Sequence, residues 1–160
     1  MTSKLSNSAK RVQDFLSAKG FAFEVKEMPS STRTAQEAAD SIGCDVSQIA
    51  KSLVFREKQT DRPILVIASG AHRVDVKKIQ RATGLKLGRA NADFVKERVG
   101  YAIGGVPPVG HNEPLETILD PTLKEHDVIW AAAGTPFAVF RLTPSDLEAL
   151  TDGVWVALAE

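Results

Sequence analysis

Gly100-Tyr-Ala-Ile-Gly-Gly-Val-Pro-Pro-Val-Gly-His111 is a stretch that neither a packed helix nor an ordinary strand accommodates. Four of its twelve residues are glycine and two are adjacent prolines. Proline fixes φ and removes a backbone donor, while glycine opens conformations closed to other residues. The run therefore has two readings. It is a rigid turn between regular elements, or it holds backbone N–H groups in fixed positions where a ligand approaches the main chain. The residues around it have to decide between them.

On its N-terminal side, Asn91 can cap a short helix over 92–99 with Phe94 and Val95 inward. Asp75 can cap another, whose stripe includes Val76, Ile79 and Ala82 and which Gly84 closes. Further back, apolar runs at 52–55 and 64–68 read as strands joined by a charged, hairpin-like loop. Asp45 with Gln48, and Thr34 with Glu37, have the spacing of capping boxes, the second opening a helix over 35–42 that Gly43 ends. A first helix starts near Ser6 or Ser8 and runs to Lys19, followed by alternating residues 21–25 as a half-buried strand. Beyond the loop, 118–119, 128–133, 137–142 and 154–158 read as strands, and Thr143 with Pro144 opens a helix over 145–150. Strands and helices mix without strict alternation, which predicts an α+β domain over a doubly wound parallel sheet.

Composition narrows the function classes. The 160 residues make one domain, 1–160, long enough for a core without disulfides or metal. No apolar run approaches the roughly 20 residues of a membrane helix, the first residues carry no signal-peptide core, and Cys44 is the only cysteine. A cytoplasmic location with no membrane partner is the expectation. Twenty basic and twenty acidic residues cancel, which argues against nucleic-acid binding by bulk charge while leaving room for a local basic rim.

Few side chains offer chemistry by pattern. His72, His111 and His126 lack the spacing of a metal site, so neither metal nor cofactor is expected. No GxSxG elbow occurs; Ser69-Gly70 is more simply a turn than half of one, and Cys44 at a helix boundary reads as a small buried residue. Lys51 stands at the entry of an apolar strand. There it either snorkels to solvent or presents an ammonium to a carbonyl, carboxylate or phosphate oxygen. His111 is a solvated loop residue, a ligand donor or a proton shuttle. Arg73, Lys77, Lys78, Arg81, Lys86 and Arg89 form either one solvated face or a phosphate-facing rim.

Taken in order, several segments resemble the YbaK/ProX family of aminoacyl-tRNA deacylases, which includes the editing domain of bacterial prolyl-tRNA synthetases. The resemblance runs from Thr34 to Leu147. It rests on Ala50-Lys-Ser-Leu-Val-Phe55, Val74-Asp-Val-Lys-Lys78, Val99 through Gly110, Thr117-Ile-Leu-Asp120, Gly134, and Leu142 with Asp146-Leu147. It implies a strongly curved, barrel-like mixed sheet wrapped by helices. It also implies an activity, hydrolysis of mischarged aminoacyl-tRNA in trans, with tRNA for proline carrying alanine, cysteine, serine or 2-aminobutyrate as the substrate. The family lysine falls on Lys51 and its glycine/proline loop on Gly104, Gly105, Pro107 and Gly110, with Gly134 bordering the pocket.

On this reading Lys51, Gly104 and Gly105 carry catalysis, the loop supplying main-chain oxyanion donors. Val106, Pro107, Pro108, Gly110, His111, Gly134, Ser69 and Gly70 bind substrate. The implied partners are the acceptor end of charged tRNA and, beyond it, prolyl-tRNA synthetase or an elongation factor. Relatives that clear cysteine carry aspartate where this chain has Val139, which weakens transfer of a cysteine-specific mechanism. A non-catalytic module that holds an aminoacyl-adenosine-like ligand or docks to a synthetase is the alternative.

Overall fold

The computed structural model describes residues 5–160. Helix α1 (Asn7–Ala18) is capped by the Ser6 hydroxyl and buries Ala9, Val12 and Leu16. Strand β1 (Lys26–Glu27) is followed by α2 (Ala35–Ile42), a 3-10 turn (Val46–Gln48), β2 (Ile49–Glu57) and β3 (Pro63–Ser69). Then come α3 (Val76–Thr83), β4 (Leu87–Arg89), α4 (Ala92–Val99), β5 (Glu116–Leu119) and a second 3-10 turn (Pro121–Glu125). The chain ends with β6 (Ile129–Ala132), β7 (Ala138–Leu142), α5 (Pro144–Thr151) and β8 (Val154–Trp155).

The strands form one mixed sheet in the order β1-β7-β6-β2-β3-β5-β8, with β4 pairing separately on β2. β2 is antiparallel to β3 and β4 but parallel to β6, and β5 is parallel to both β3 and β8. Because β1 and β8 stand at opposite ends of the path, the mixed sheet is open, as in an α+β domain with helices packed around one sheet. Strand β3 is buried throughout, and its period of two divides the core. Leu65 and Ile67 join α1, α4, α5 and the Gly/Pro loop on one face. Ile64, Val66 and Ala68 join Ile79 of α3 and Leu158 on the other.

One expectation needs correction, and one strand has no signal in the sequence. Residues 21–25 alternate in burial but form no ladder, because a side chain takes the place of a partner strand. The Gln13 amide donates to the Phe23 carbonyl and accepts from the Val25 N–H, both at 2.8 Å. Strand β4, three residues between two helices, carries too short a pattern to announce itself. The five helices follow their predicted caps, including Thr34, Asp75, Asn91 and Thr143.

The Gly/Pro loop is largely interior: residues 105–110 are all buried. It is tied to the β6–β7 hairpin by a crossing of two backbones, in which the Gly134 N–H donates to the Gly105 carbonyl at 2.9 Å. Neither glycine has room for a side chain. A Cβ on Gly105 would lie 2.8 Å from the Thr135 backbone, and one on Gly134 would lie 2.6 Å from the Ser8 carbonyl oxygen. Gly134 also holds φ at 98°, a left-handed conformation. Gly134→Ala combines backbone strain with a backbone clash, so it is expected to cost about 2–3 kcal/mol of unfolding free energy. Urea denaturation checks this, and a loss below about 0.5 kcal/mol would contradict the crossing.

Candidate functional site

The site originates in how β2 is bonded. In its antiparallel pairing with β3, Gly70 N–H donates to Ile49 C=O and Glu57 N–H to Arg62 C=O. Alternation then turns the main-chain groups of Lys51, Leu53 and Phe55 toward β3, and those of Ala50, Ser52, Val54 and Arg56 the other way. On that other side β6 pairs with only Ile49 and Ala50, while β4 pairs with Phe55 to Glu57. Between the two partners the ladder is broken. Among the described residues, no backbone hydrogen bond joins the Ser52 N–H and C=O or the Val54 N–H to another element.

Two adjoining chambers open at this break, of about 320 Å³ and 410 Å³, and both are lined by Ser52, Leu53, Ile103, Gly104 and Val106. The first continues to Lys51, Arg33, Ala38, Ala131 and Val139. The second continues to Val54, Val76, Gly88, Arg89 and Ala90. At the divide, the Ser52 hydroxyl is buried without a hydrogen-bond partner among the described residues. The loop thus roofs the break through Ile103, Gly104 and Val106. Gly105 faces away, and its N–H is spent on the Ala102 carbonyl at 3.0 Å, so it is no donor to a ligand.

Lys51 is half-buried, and its ammonium donates to the His72 carbonyl. The His72 ring is held in turn at 2.9 Å by Asp120, a buried carboxylate that also accepts the Ser69 and Thr122 N–H groups at 3.0 Å. Burial pushes the Lys51 ammonium below the ordinary lysine range; Asp120 opposes this and Arg73 adds to it. Burial would raise the Asp120 carboxyl, but the hydrogen bonds from His72, Ser69 and Thr122 outweigh it and hold the group down.

Other sequence candidates lie elsewhere. The Ser69 hydroxyl donates to the Ser47 carbonyl at 2.9 Å, and Gly70 is packed so closely that a Cβ would meet the Val46 carbonyl at 2.5 Å. Both build the turn behind Lys51 and line neither chamber. Pro108, Gly110 and His111 line a different depression, beside Phe15 and Leu150, because the loop passes through the core and emerges on another side. Pro107 is buried, its carbonyl accepting from His111, and Gly134 serves the backbone crossing. Ser52 and the His72–Asp120 pair were not singled out from the sequence. A serine inside a strand carries no pattern, and the pair lies 48 positions apart.

The fold and site define a mixed α+β domain with a cavity at an interrupted sheet edge and Lys51 at its wall. Residues 29–150 match the model of the aminoacyl-tRNA editing domain, and the chain belongs to that family. A crystal structure of a candidate trans-editing enzyme for prolyl tRNA synthetase is 48% identical, with a TM-score of 0.92 over 98% of this chain and 99% of that one. YwhH of Bacillus subtilis is 36% identical over 134 residues, covering 83% of this chain and 85% of its own. EbsC of Enterococcus faecalis, a candidate Cys-tRNA(Pro)/Cys-tRNA(Cys) deacylase, is 27% identical over 121 residues, 75% of this chain and 73% of its own.

The placement of His111 has a pH consequence. Its Nε2 lies 2.7 Å from the Pro107 carbonyl, a geometry that puts the ring proton on that nitrogen. Burial pushes its pKa down, the Pro107 bond works the other way, and Arg11 adds to the depression. A folded pKa below the unfolded one, about 6.5, means stability is fully present above that value and is lost as pH falls through it. The urea midpoint should therefore drop between about pH 7.5 and 5.5, and His111→Gln should flatten that part of the slope. An unchanged slope in the variant would refute the assignment.

Proposed function

We propose that the protein is a trans-editing hydrolase that deacylates mischarged tRNA, with tRNA for proline carrying a small wrong amino acid as its substrate. The observation that carries this reading is the sharing of one cavity by Lys51 and Val139 beside main-chain groups that have no backbone partner among the described residues. An aminoacyl ester is already activated, so catalysis needs a positioned water and stabilisation of the developing oxyanion more than a nucleophilic side chain. Water adds to the ester carbonyl, the bond to the ribose oxygen breaks, that oxygen takes a proton, and the free amino acid leaves. The neighbouring ribose hydroxyl is placed to assist the water.

Lys51 has three N–H donors, of which the His72 carbonyl takes one, leaving two for the ester region or the terminal phosphate. Pro107 and Pro108 have no N–H, and that of Gly105 is engaged, so the oxyanion falls to Gly104, Val106 or the open edge at Ser52. The chain supplies all of these groups itself, and the reaction is proposed to run without a metal, unaffected by a chelator. Ala38, Ala131 and Val139 give the Lys51 chamber small apolar lining, which favours alanine or 2-aminobutyrate over a side chain that needs a buried hydrogen bond.

A panel of tRNA for proline charged with alanine, 2-aminobutyrate, serine, cysteine or proline tests the reading. Alanine and 2-aminobutyrate should be released fastest and proline spared. Lys51→Ala should lower kcat/KM by about 10²-fold or more. Near-normal rates in that variant would remove Lys51 from the chemistry. Binding of charged tRNA without release of any amino acid would identify a non-catalytic module instead.

A further inference from the structure

The second half of the glycine/proline loop has no part in the ester chemistry just described. Residues 108–111 wall a separate depression of about 430 Å³ between α1 and α5. Half-buried Phe15, Leu115 and Leu150 give it an apolar lining. Among the described residues, the N–H groups of Val109, Gly110 and His111 donate to no acceptor, although Val109 and Gly110 are buried. A buried N–H left without a partner is costly, so these three wall residues hold unused donors. Gly110 offers the depression main chain only, and its carbonyl is already taken by the Tyr101 hydroxyl at 2.9 Å. Its φ is 83°, and consecutive amides around a left-handed turn residue form a concavity that suits an anion.

Both signs of charge stand in the same wall. The Lys19 ammonium lies 5.5 Å from the Phe15 ring centroid and pairs with no carboxylate among the described residues. Thr151 and Asp152 bring the C-terminal end of α5, which favours a cation, and the Asp152 carboxylate is likewise unpaired among the described residues. Glu113 adds a second carboxylate, 3.7 Å from Arg98. With its Nε2 proton given to Pro107, the His111 ring keeps Nδ1 as an acceptor. The complement of these groups is a small molecule that carries a carboxylate, an ammonium and an apolar tail.

We infer that this depression binds a free α-amino acid with an apolar side chain. Its carboxylate meets the 109–111 amides and Lys19, its ammonium meets His111 Nδ1 and Asp152, and its side chain packs on Phe15, Leu115 and Leu150. The site is separate from the Lys51 chamber and does not rest on the editing reading.

The test is binding to the full-length protein labelled with ¹⁵N. It is titrated with L-leucine and with three relatives: L-leucine amide lacks the carboxylate, 4-methylpentanoate lacks the ammonium, and glycine lacks the side chain. Leucine is expected to move the Val109, Gly110 and His111 amide signals, and each relative to bind about tenfold more weakly or worse. Lys19→Glu, a change at an exposed position, should weaken leucine binding by a similar factor while the 64–69 signals of β3 keep their places. Leucine amide or 4-methylpentanoate binding as tightly as leucine, or undiminished binding in Lys19→Glu, would overturn the inference. So would shifts confined to the Lys51 chamber, or none at ~10 mM leucine. Release of amino acid from charged tRNA is not measured, so a failure here leaves the editing reading standing, and a protein inactive on every charged tRNA leaves this site standing.

Discussion

Strand β2 is supported along its whole length on one side and in two separate pieces on the other, and the rest of the molecule is arranged around that asymmetry. β6 reaches its beginning in parallel and β4 reaches its end antiparallel, so among the described residues the middle of the strand has no partner on that side. Unpaired main-chain groups in a partly buried place are costly and are normally satisfied by sheet, side chain or water. Here a third strand is kept out by a loop that cannot become one. Adjacent prolines at 107 and 108 remove two donors, and the Gly105–Gly134 crossing fixes the loop against the β6–β7 hairpin. The sheet edge stays open and sheltered, which is the condition under which a small ligand can complete it and a foreign strand cannot.

The lysine beside this opening is held by a chain of main-chain and side-chain contacts running back through the sheet. Its ammonium meets the His72 carbonyl, the His72 ring meets Asp120, and Asp120 is fixed by the N–H groups of Ser69 and Thr122. A half-buried ammonium without such a partner would lose its proton or turn to solvent. The turn after β3 therefore matters to the site through geometry, although none of its groups lines the chamber wall. Asp120 has no need to touch a ligand to matter, since it sets where the His72 backbone lies.

The sequence made some of this legible and hid the rest for identifiable reasons. Helix starts were readable because Ser6, Thr34, Asp75, Asn91 and Thr143 satisfy orphan N–H groups through local hydrogen bonds. Lys51 and Gly104 were readable because a lysine in an apolar strand and a glycine cluster each break a local rule. Gly110 joins them through the resemblance of the loop, and Pro108 and His111 through adjacency in the chain. The loop passes through the core between residues 105 and 110, so neighbours in sequence open on different sides of the molecule. The break in the ladder is a property of pairing between distant segments, and no periodicity within β2 encodes it. Residues 21–25 show the converse: the alternation was genuine, but the Gln13 amide satisfied it where a strand was expected.

On the proposed reading, selectivity comes from the apolar residues lining the Lys51 chamber, because main-chain donors treat every aminoacyl ester alike. A wall of alanine and valine discriminates by volume, and one methylene is worth only about 1–3 kcal/mol. That is modest, but an editing site works on esters that a synthetase has already selected once, so two moderate filters multiply. Polar discrimination would require a buried group left unpaired in the empty site. Val139 is buried and apolar, and this chain avoids that cost there. On the proposed reading the filter is steric, with Ala38, Ala131 and Val139 setting its grain.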